Sequence, residues 1–237
     1  MDASELYDPE FRKLIKSKKP TIIIPVGSIE QHGAHLPITT DSDIVTEIAS
    51  RLAKKCGFIV FPTISYGLSR EHAPLSNISI RDVDYRSLLW NILLSIKQMS
   101  VNLNSVIILN GHHGNLEALD KLPTYLKRYF SREDGMPRCY SYWHFMEHEF
   151  DHAGFVETSL MLAISDKVRM KKAKKGLIMD NLSKLEQSAA KKLSTQTGGF
   201  PKVAKNGVWG DPTKATKKDG EKFLAEIVRN LAKECQS

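Results

Sequence analysis

Ionisable side chains crowd into one short segment near the start of the chain. Residues 25–43 read PVGSIEQHGAHLPITTDSD. Carboxylate and imidazole groups are the ligands that zinc, manganese and iron use at hydrolytic centres. This segment therefore predicts a metal site, with candidate ligands at Glu30, His32, His35, Asp41 and Asp43.

The spacing of these residues supports a shared site. Glu30 and His32 lie two positions apart, so their side chains point to the same side of an extended backbone. Asp41 opens a predicted helix, where a carboxylate is electrostatically favoured and could bridge two ions. The simpler interpretation is that Asp41 only caps that helix. A further histidine, His112, stands in a separate loop between two nearby glycines, which let the backbone approach a ligand closely.

Two buried strands are predicted immediately before these loops. Thr21–Val26 and Ser105–Leu109 are continuous aliphatic, β-branched runs, which is typical of strands covered on both faces. Strands alternating with helices predict a layered α/β fold with a mainly parallel sheet, in which ligands bind beyond the carboxyl ends of the strands. Apolar periodicity predicts helices over Asp41–Lys55, Tyr85–Val101, Leu116–Tyr129 and Lys218–Cys235, and a further helix that begins at Glu157. Two more strands are predicted over Phe58–Pro62 and Arg138–Trp143.

The composition indicates one ordinary globular domain over residues 1–237, with a turn-rich excursion at about 166–217. The net charge of +7 comes with no nucleic-acid-binding motif, so we expect no nucleic-acid partner. No apolar run approaches the length needed to cross a bilayer, and no signal peptide is evident, which favours a cytoplasmic protein without membrane contact. The three cysteines have no CxxC spacing and are expected to be reduced.

Five sequence blocks span nearly the whole chain. They are PVGSIEQHGAHLP followed by Asp41, EH at Glu71–His72, LNGHHGN at 109–115, HAGFVETS at 152–159 and GVWGDPTKAT followed by KDG at 207–220. With these blocks the sequence resembles the creatininase (creatinine amidohydrolase) family, in which they occur in the same order. The resemblance implies a three-layer α/β/α fold, a centre of two divalent ions (zinc, manganese or iron) and a homo-oligomer, a hexamer in the family.

The resemblance also implies roles for individual residues. Glu157 is implied as a further ligand, and His152 as a proton donor or base, with Glu157 as an alternative donor. For His113, a role beside the ligands and a role facing the substrate are equally supported, while His144 and His148 match no block and are expected at the surface or pocket edge. The implied ligands are Glu30, His32, Asp41, His112 and Glu157, and the residues expected to support them or face the substrate are His35, Asp43, His72, His113 and Asn115.

One position departs from creatininase proper, which has a glutamate ligand where this chain has Gly114. The chain resembles the broader family, which includes an archaeal deformylase of riboflavin and deazaflavin biosynthesis and a peptidase that matures a peptide-derived cofactor. We predict hydrolysis of a small molecule at a non-peptide C–N bond, a cyclic amide or formamide, by metal-activated water. The alternatives are deformylation of a phosphoribosyl formylaminopyrimidine, peptide hydrolysis, and a metal-free small-molecule binding module.

Overall fold

Four parallel strands form the centre of the protein. A computed structural model describes residues 1–17, 19–99, 103–126, 130 and 137–236. The strands are β1 Thr21–Val26, β2 Ile59–Val60, β3 Ser105–Asn110 and β4 Arg138–Ser141. The α-helices of these residues are α1 Asp8–Ser17, α2 Thr40–Cys56, α3 Asp82–Met99, α4 Leu116–Leu126, α5 Phe155–Ile164, α6 Lys184–Ser194, α7 Phe200–Val203 and α8 Lys217–Gln236.

The strand order is β2-β1-β3-β4, so β1 and β3, the two strands predicted to be buried on both faces, are central neighbours. Both are buried along their whole length. Their register pairs Val26 with Asn110 at the carboxyl ends, and the Gly111 N–H donates to the Val26 carbonyl at 2.8 Å. The polar loops that follow β1 and β3 therefore leave the sheet side by side.

Each face of the sheet is covered by helices. Because side chains alternate along a strand, Ile23 and Ile107 enter one core with α2, α5 and α8. Ile22 and Ile108 enter the other core with α3 and α4. This arrangement confirms the three-layer α/β/α fold with a parallel sheet.

The predicted strand ending at Trp143 is too long. Strand β4 ends at Ser141, and residues 142–145 form a 3-10 helix. Tyr142 and Trp143 are consecutive, yet both enter the same core and pack edge to face, with ring centroids 5.3 Å apart. Consecutive strand residues point to opposite faces, so this pair requires a turn of helix instead.

Other boundaries also differ from the prediction. Within Phe58–Pro62 only Ile59–Val60 pairs as a strand. The predicted helix ends at Val101 and Tyr129 lie outside the described residues. The cap of α2 is Thr39 rather than Asp41, so the capping interpretation of Asp41 is wrong.

Two chain-wide expectations can be compared with the structure. All three cysteines are free. Among the described residues, no helix has both the length and the apolar character needed to cross a membrane.

The stability of this core can be tested at Leu93, which is fully buried in α3 against the sheet. Leu93→Ala leaves a cavity and is expected to lower the free energy of unfolding by about 2–5 kcal/mol in urea titrations. The matched control is Leu185→Ala, because Leu185 is 85% exposed and its loss should change stability by less than about 0.5 kcal/mol. Equal effects of the two substitutions would contradict the assigned core.

Candidate metal centre

The predicted ligands come together at the carboxyl edge of the central strands. Glu30 and His32 lie in the loop after β1, and Asp41 is in the first turn of α2. His112 follows β3, and Glu157 is in the first turn of α5. Each of these five side chains is at most 3% exposed. Four separate segments therefore direct ionisable groups into one pocket that is buried from solvent.

Asp41 lies at the middle of this group. Its Oδ1 is 3.1 Å from His32 Nε2, and its Oδ2 is 3.0 Å from His112 Nδ1. The Ser28 hydroxyl donates to Oδ2 at 2.7 Å and holds the carboxylate in place. One oxygen thus faces each histidine, as a carboxylate shared between two ions would require.

The ligand atoms fall into two overlapping triads. Glu30, Asp41 and His112 form one, and His32, Asp41 and Glu157 form the other, with the atoms of each triad within 4.8 Å of one another. Within them, Glu30 Oε2 lies 3.2 Å from His112 Nε2, and Glu157 Oε2 lies 3.4 Å from His32 Nε2. Oxygen and nitrogen donors in this number suit a divalent transition metal.

Several buried oxygens in these triads make no hydrogen bond within the described residues. Both carboxylate oxygens of Glu30, and Oε1 of Glu157, have no partner in the described part of the chain. A buried carboxylate is unfavourable unless it is paired or binds a metal. The residues present therefore fit a divalent ion.

The two candidate ligand histidines have their ring protons fixed by backbone. His32 Nδ1 lies 3.1 Å from the Glu30 carbonyl, and His112 Nε2 lies 2.7 Å from the Leu68 carbonyl. A carbonyl only accepts, so these nitrogens carry the proton in the neutral ring. The remaining nitrogen of each ring, which faces Asp41, keeps a lone pair for a metal.

The pocket attracts positive charge. Burial lowers the pKa of His32, but the charges of Asp41 and Glu157 raise it by more, so the net pKa is well above the ordinary value. Burial raises the pKa of Asp41, but the charge of His32 and the contact with His112 hold it well below the usual range. The carboxylates would favour a bound cation for the same reason.

His152 lies beside the triads. Its ring stacks on His32 at 4.2 Å between centroids, and its Nδ1 is 3.6 Å from Glu30 Oε1. Burial and the charges of His32 and His72 lower the pKa of His152 well below its ordinary value, so the ring is neutral. The next residue, Ala153, has a left-handed φ of 51° and donates its N–H to Glu157 Oε2 at 2.7 Å. This unfavourable backbone conformation places the donor on Glu157.

The residues expected near the ligands divide into two groups. Asn115 accepts from the Leu68 N–H and donates to the Gly27 carbonyl, so it fastens the loops together. His72 contacts the centre directly, with Nε2 3.1 Å from Glu30 Oε1. His35 and Asp43 instead bond to Thr158 and Thr39.

Three other histidines occupy more exposed positions. His113 is exposed at the rim and stacks on Trp143 at 6.3 Å. His144 adjoins Trp143, and His148 stacks on Phe223; both are exposed. Placement at the surface agrees with the expectation for His144 and His148.

A family model for creatininase, described as creatinine amidohydrolase, matches residues 4–235. The chain belongs to the creatininase family. A relative of similar length is the mycofactocin precursor peptide peptidase of Mycolicibacterium smegmatis, 33% identical over 226 residues, which covers 92% of this chain and 85% of that protein. The creatinine amidohydrolase of Pseudomonas putida is 26% identical over 187 residues, 68% of this chain and 70% of its own.

A further relative has a different printed activity. The 2-amino-5-formylamino-6-ribosylaminopyrimidin-4(3H)-one 5'-monophosphate deformylase of Methanosphaera stadtmanae is 34% identical over 158 residues, 63% of this chain and 62% of its own. Among solved structures, creatininase matches with a TM-score of 0.77 at 21% identity, covering 98% of this chain and 95% of that one. That likeness supports the fold.

Glu71 is a site residue that sequence reasoning did not assign. Its Oε1 lies 3.4 Å from His112 Nε2 and 3.9 Å from His72 Nε2. A Cβ at Gly114 would come within 2.5 Å of this oxygen and 2.1 Å of the Leu68 carbonyl oxygen. Gly114, the position at which this chain differs from creatininase proper, therefore leaves space for the Glu71 carboxylate. The EH block at residues 71–72 was the only sequence signal that could have indicated Glu71, and the sequence does not show that residues 71 and 114 lie close together.

Phe200 and Gln31 were also missed. Phe200 comes from the turn-rich excursion, and its ring lies 4.5 Å from that of His72 and 4.7 Å from that of His152. The excursion therefore covers the centre of its own chain. Gln31 contacts both of these histidines and carried no signal beyond its place in the EQH block.

The shared carboxylate can be tested with two neighbouring aspartates. Asp41→Asn should abolish metal binding, because both triads lose a charged donor, whereas Asp43→Asn should retain it, because Asp43 bonds only to Thr39 among its described hydrogen bonds. Elemental analysis of each purified protein after loading with zinc or manganese gives the number of ions per chain. Full metal content in Asp41→Asn would refute the assignment.

Proposed function

We propose that this creatininase-family protein is a metal-dependent hydrolase that cleaves a C–N bond of an amide-like group. The observation that carries the proposal is the pair of buried triads that share Asp41 and in which several carboxylate oxygens of the described residues make no hydrogen bond. Solved creatininase structures in Mn and Zn-Zn forms support two divalent ions of this kind. The proposal includes the homohexamer and small-molecule substrate implied by the family resemblance.

The roles follow from the geometry. Glu30, Asp41 and His112 would hold one ion, and His32, Asp41 and Glu157 the other. Such ions polarise a carbonyl and lower the pKa of water.

The neutral ring of His152 is placed to accept a proton and pass it to the departing nitrogen. It is 12% exposed, unlike the deeper ligands, and Phe200 shields it from solvent. Glu157, which contacts His32 and accepts the Ala153 N–H, is the alternative proton carrier.

The names of the relatives indicate different kinds of cleaved bond. Creatinine amidohydrolase and the deformylase support our first candidate, a cyclic amide or formamide. The mycofactocin precursor peptide peptidase supports a peptide bond as second candidate, and its alignment covers more of the chain.

The chemistry can be tested before the substrate is known. Protein stripped by a chelator should show no hydrolysis of a panel of formamides, cyclic amides and short peptides, and zinc, manganese or iron should restore activity toward one class. His152→Ala should lower kcat by about 10²–10⁴-fold while keeping its metal. Hydrolysis by metal-free protein would refute the mechanism, and ligand binding without turnover in either form would favour the binding module.

A further inference from the structure

Gln31 stands between two candidate ligands in sequence, but its side chain serves other groups. It is 8% exposed. Its Oε1 accepts the Gly33 N–H at 3.0 Å. Gly207, in a left-handed conformation with φ 73°, passes so close that a Cβ there would lie 1.8 Å from the same oxygen. The orientation of the amide is therefore fixed, and its NH₂ group faces the metal centre.

This NH₂ group determines the tautomer of His72. It lies 3.0 Å from His72 Nδ1. An amide NH₂ only donates, so Nδ1 accepts and the neutral ring carries its proton on Nε2. That Nε2 is 3.1 Å from Glu30 Oε1. His72 thus presents an N–H to a ligand carboxylate, whereas the neutral rings of His32 and His112 would turn a lone pair toward Asp41.

We propose that Gln31 and His72 form a positioning relay for Glu30. The amide holds His72 in the Nε2–H tautomer. The N–H lies 3.1 Å from Glu30 Oε1 without hydrogen-bond geometry, and its positive end attracts the carboxylate and limits how Glu30 turns toward an ion. The relay rests on the proposed function in one respect, namely that the centre binds metal. In this assignment His72 is a positioning residue and not a ligand.

A competing arrangement uses the same residues. The donor atoms of Glu30, Glu71 and His72 lie within 4.8 Å of one another and could surround an ion. A ligating Nε2 would need a lone pair while Nδ1 accepts from Gln31, and a neutral imidazole has only one unprotonated nitrogen. The fixed amide therefore disfavours His72 as a ligand.

The relay is confined to His72. His152 Nε2 lies 3.1 Å from the same amide nitrogen but also 3.0 Å from the Gln31 carbonyl oxygen. These two neighbours demand opposite protonation of Nε2, so the tautomer of His152 is not set by Gln31. His72 has no such conflict, is 3% exposed, and is held by the Phe200 ring.

The test compares substitutions that keep or remove each donor. Gln31→Met removes the amide but keeps the chain length, and His72→Leu removes the ring N–H, whereas His72→Gln keeps an N–H donor. The matched control is Gln187→Met, since Gln187 is half-buried and its amide donates to the backbone carbonyls of residues 179 and 182, far from the centre in sequence. Metal per chain is measured by elemental analysis, and zinc affinity by competition with a chromophoric chelator.

We expect Gln31→Met and His72→Leu to keep the wild-type number of ions and to bind zinc about 10–100-fold more weakly, the usual effect of removing a group that orients a ligand. His72→Gln and Gln187→Met should bind close to wild type. Loss of a whole equivalent of metal in both His72 variants would make His72 a ligand and overturn the relay. Unchanged zinc affinity in Gln31→Met and His72→Leu would overturn it as well.

A spectroscopic measurement on the wild-type protein is independent of variant folding. Long-range ¹H–¹⁵N correlation spectra distinguish the two imidazole tautomers, and His72 should show a protonated Nε2 and an unprotonated Nδ1. The opposite tautomer would overturn the relay. Wild-type protein that binds no metal would instead refute the proposed function, so the two failures are distinguishable.

Discussion

The structure depends on one electrostatic constraint: three carboxylates, Glu30, Asp41 and Glu157, lie together almost without solvent. Such a cluster is unfavourable unless positive charge or donors surround it. The described residues supply some of this through Ser28 on Asp41 and the Ala153 N–H on Glu157. The remaining carboxylate oxygens would be stabilised by bound cations. The other features of the centre hold these side chains in position.

Neutral amides supply that rigidity. Asn110, at the end of β3, accepts the His112 N–H and donates to the His112 carbonyl, so the loop turns back on its own strand. Asn115 joins the same loop to the segments at Gly27 and Leu68. Because amides donate and accept without adding charge, they can order the loops without competing for the metal.

The sequence predicted the part of the site that depends on local pattern. β1 and β3 were recognisable as buried aliphatic runs, and Glu30, His32 and His112 follow them directly, so parallel pairing was enough to bring these residues together. The approach of Gln31 to His72, and of Glu71 to Gly114, joins segments about forty residues apart. No local sequence periodicity predicts such contacts between distant segments. The end of β4 was missed for a related reason, since the choice between strand and helix at Tyr142 is made by core packing.

In the proposed function, the buried triads and the residues around them have separate tasks. The triads would hold the ions, whereas Glu71, Phe200 and the stacked pair His113 and Trp143 lie around them. Phe200 belongs to the turn-rich excursion. One fold can host different chemistries, and the names of the relatives include a deformylase, a creatinine amidohydrolase and a peptide peptidase.

Close neighbours require a glycine at position 114. A Cβ there would lie 2.1 Å from the Leu68 carbonyl oxygen and 2.5 Å from Glu71 Oε1. The Glu71 carboxylate ends a flexible side chain and could turn aside, whereas the Leu68 carbonyl belongs to the backbone. Exchanging this glycine for a larger residue would therefore require the chain near Leu68 to take a different course.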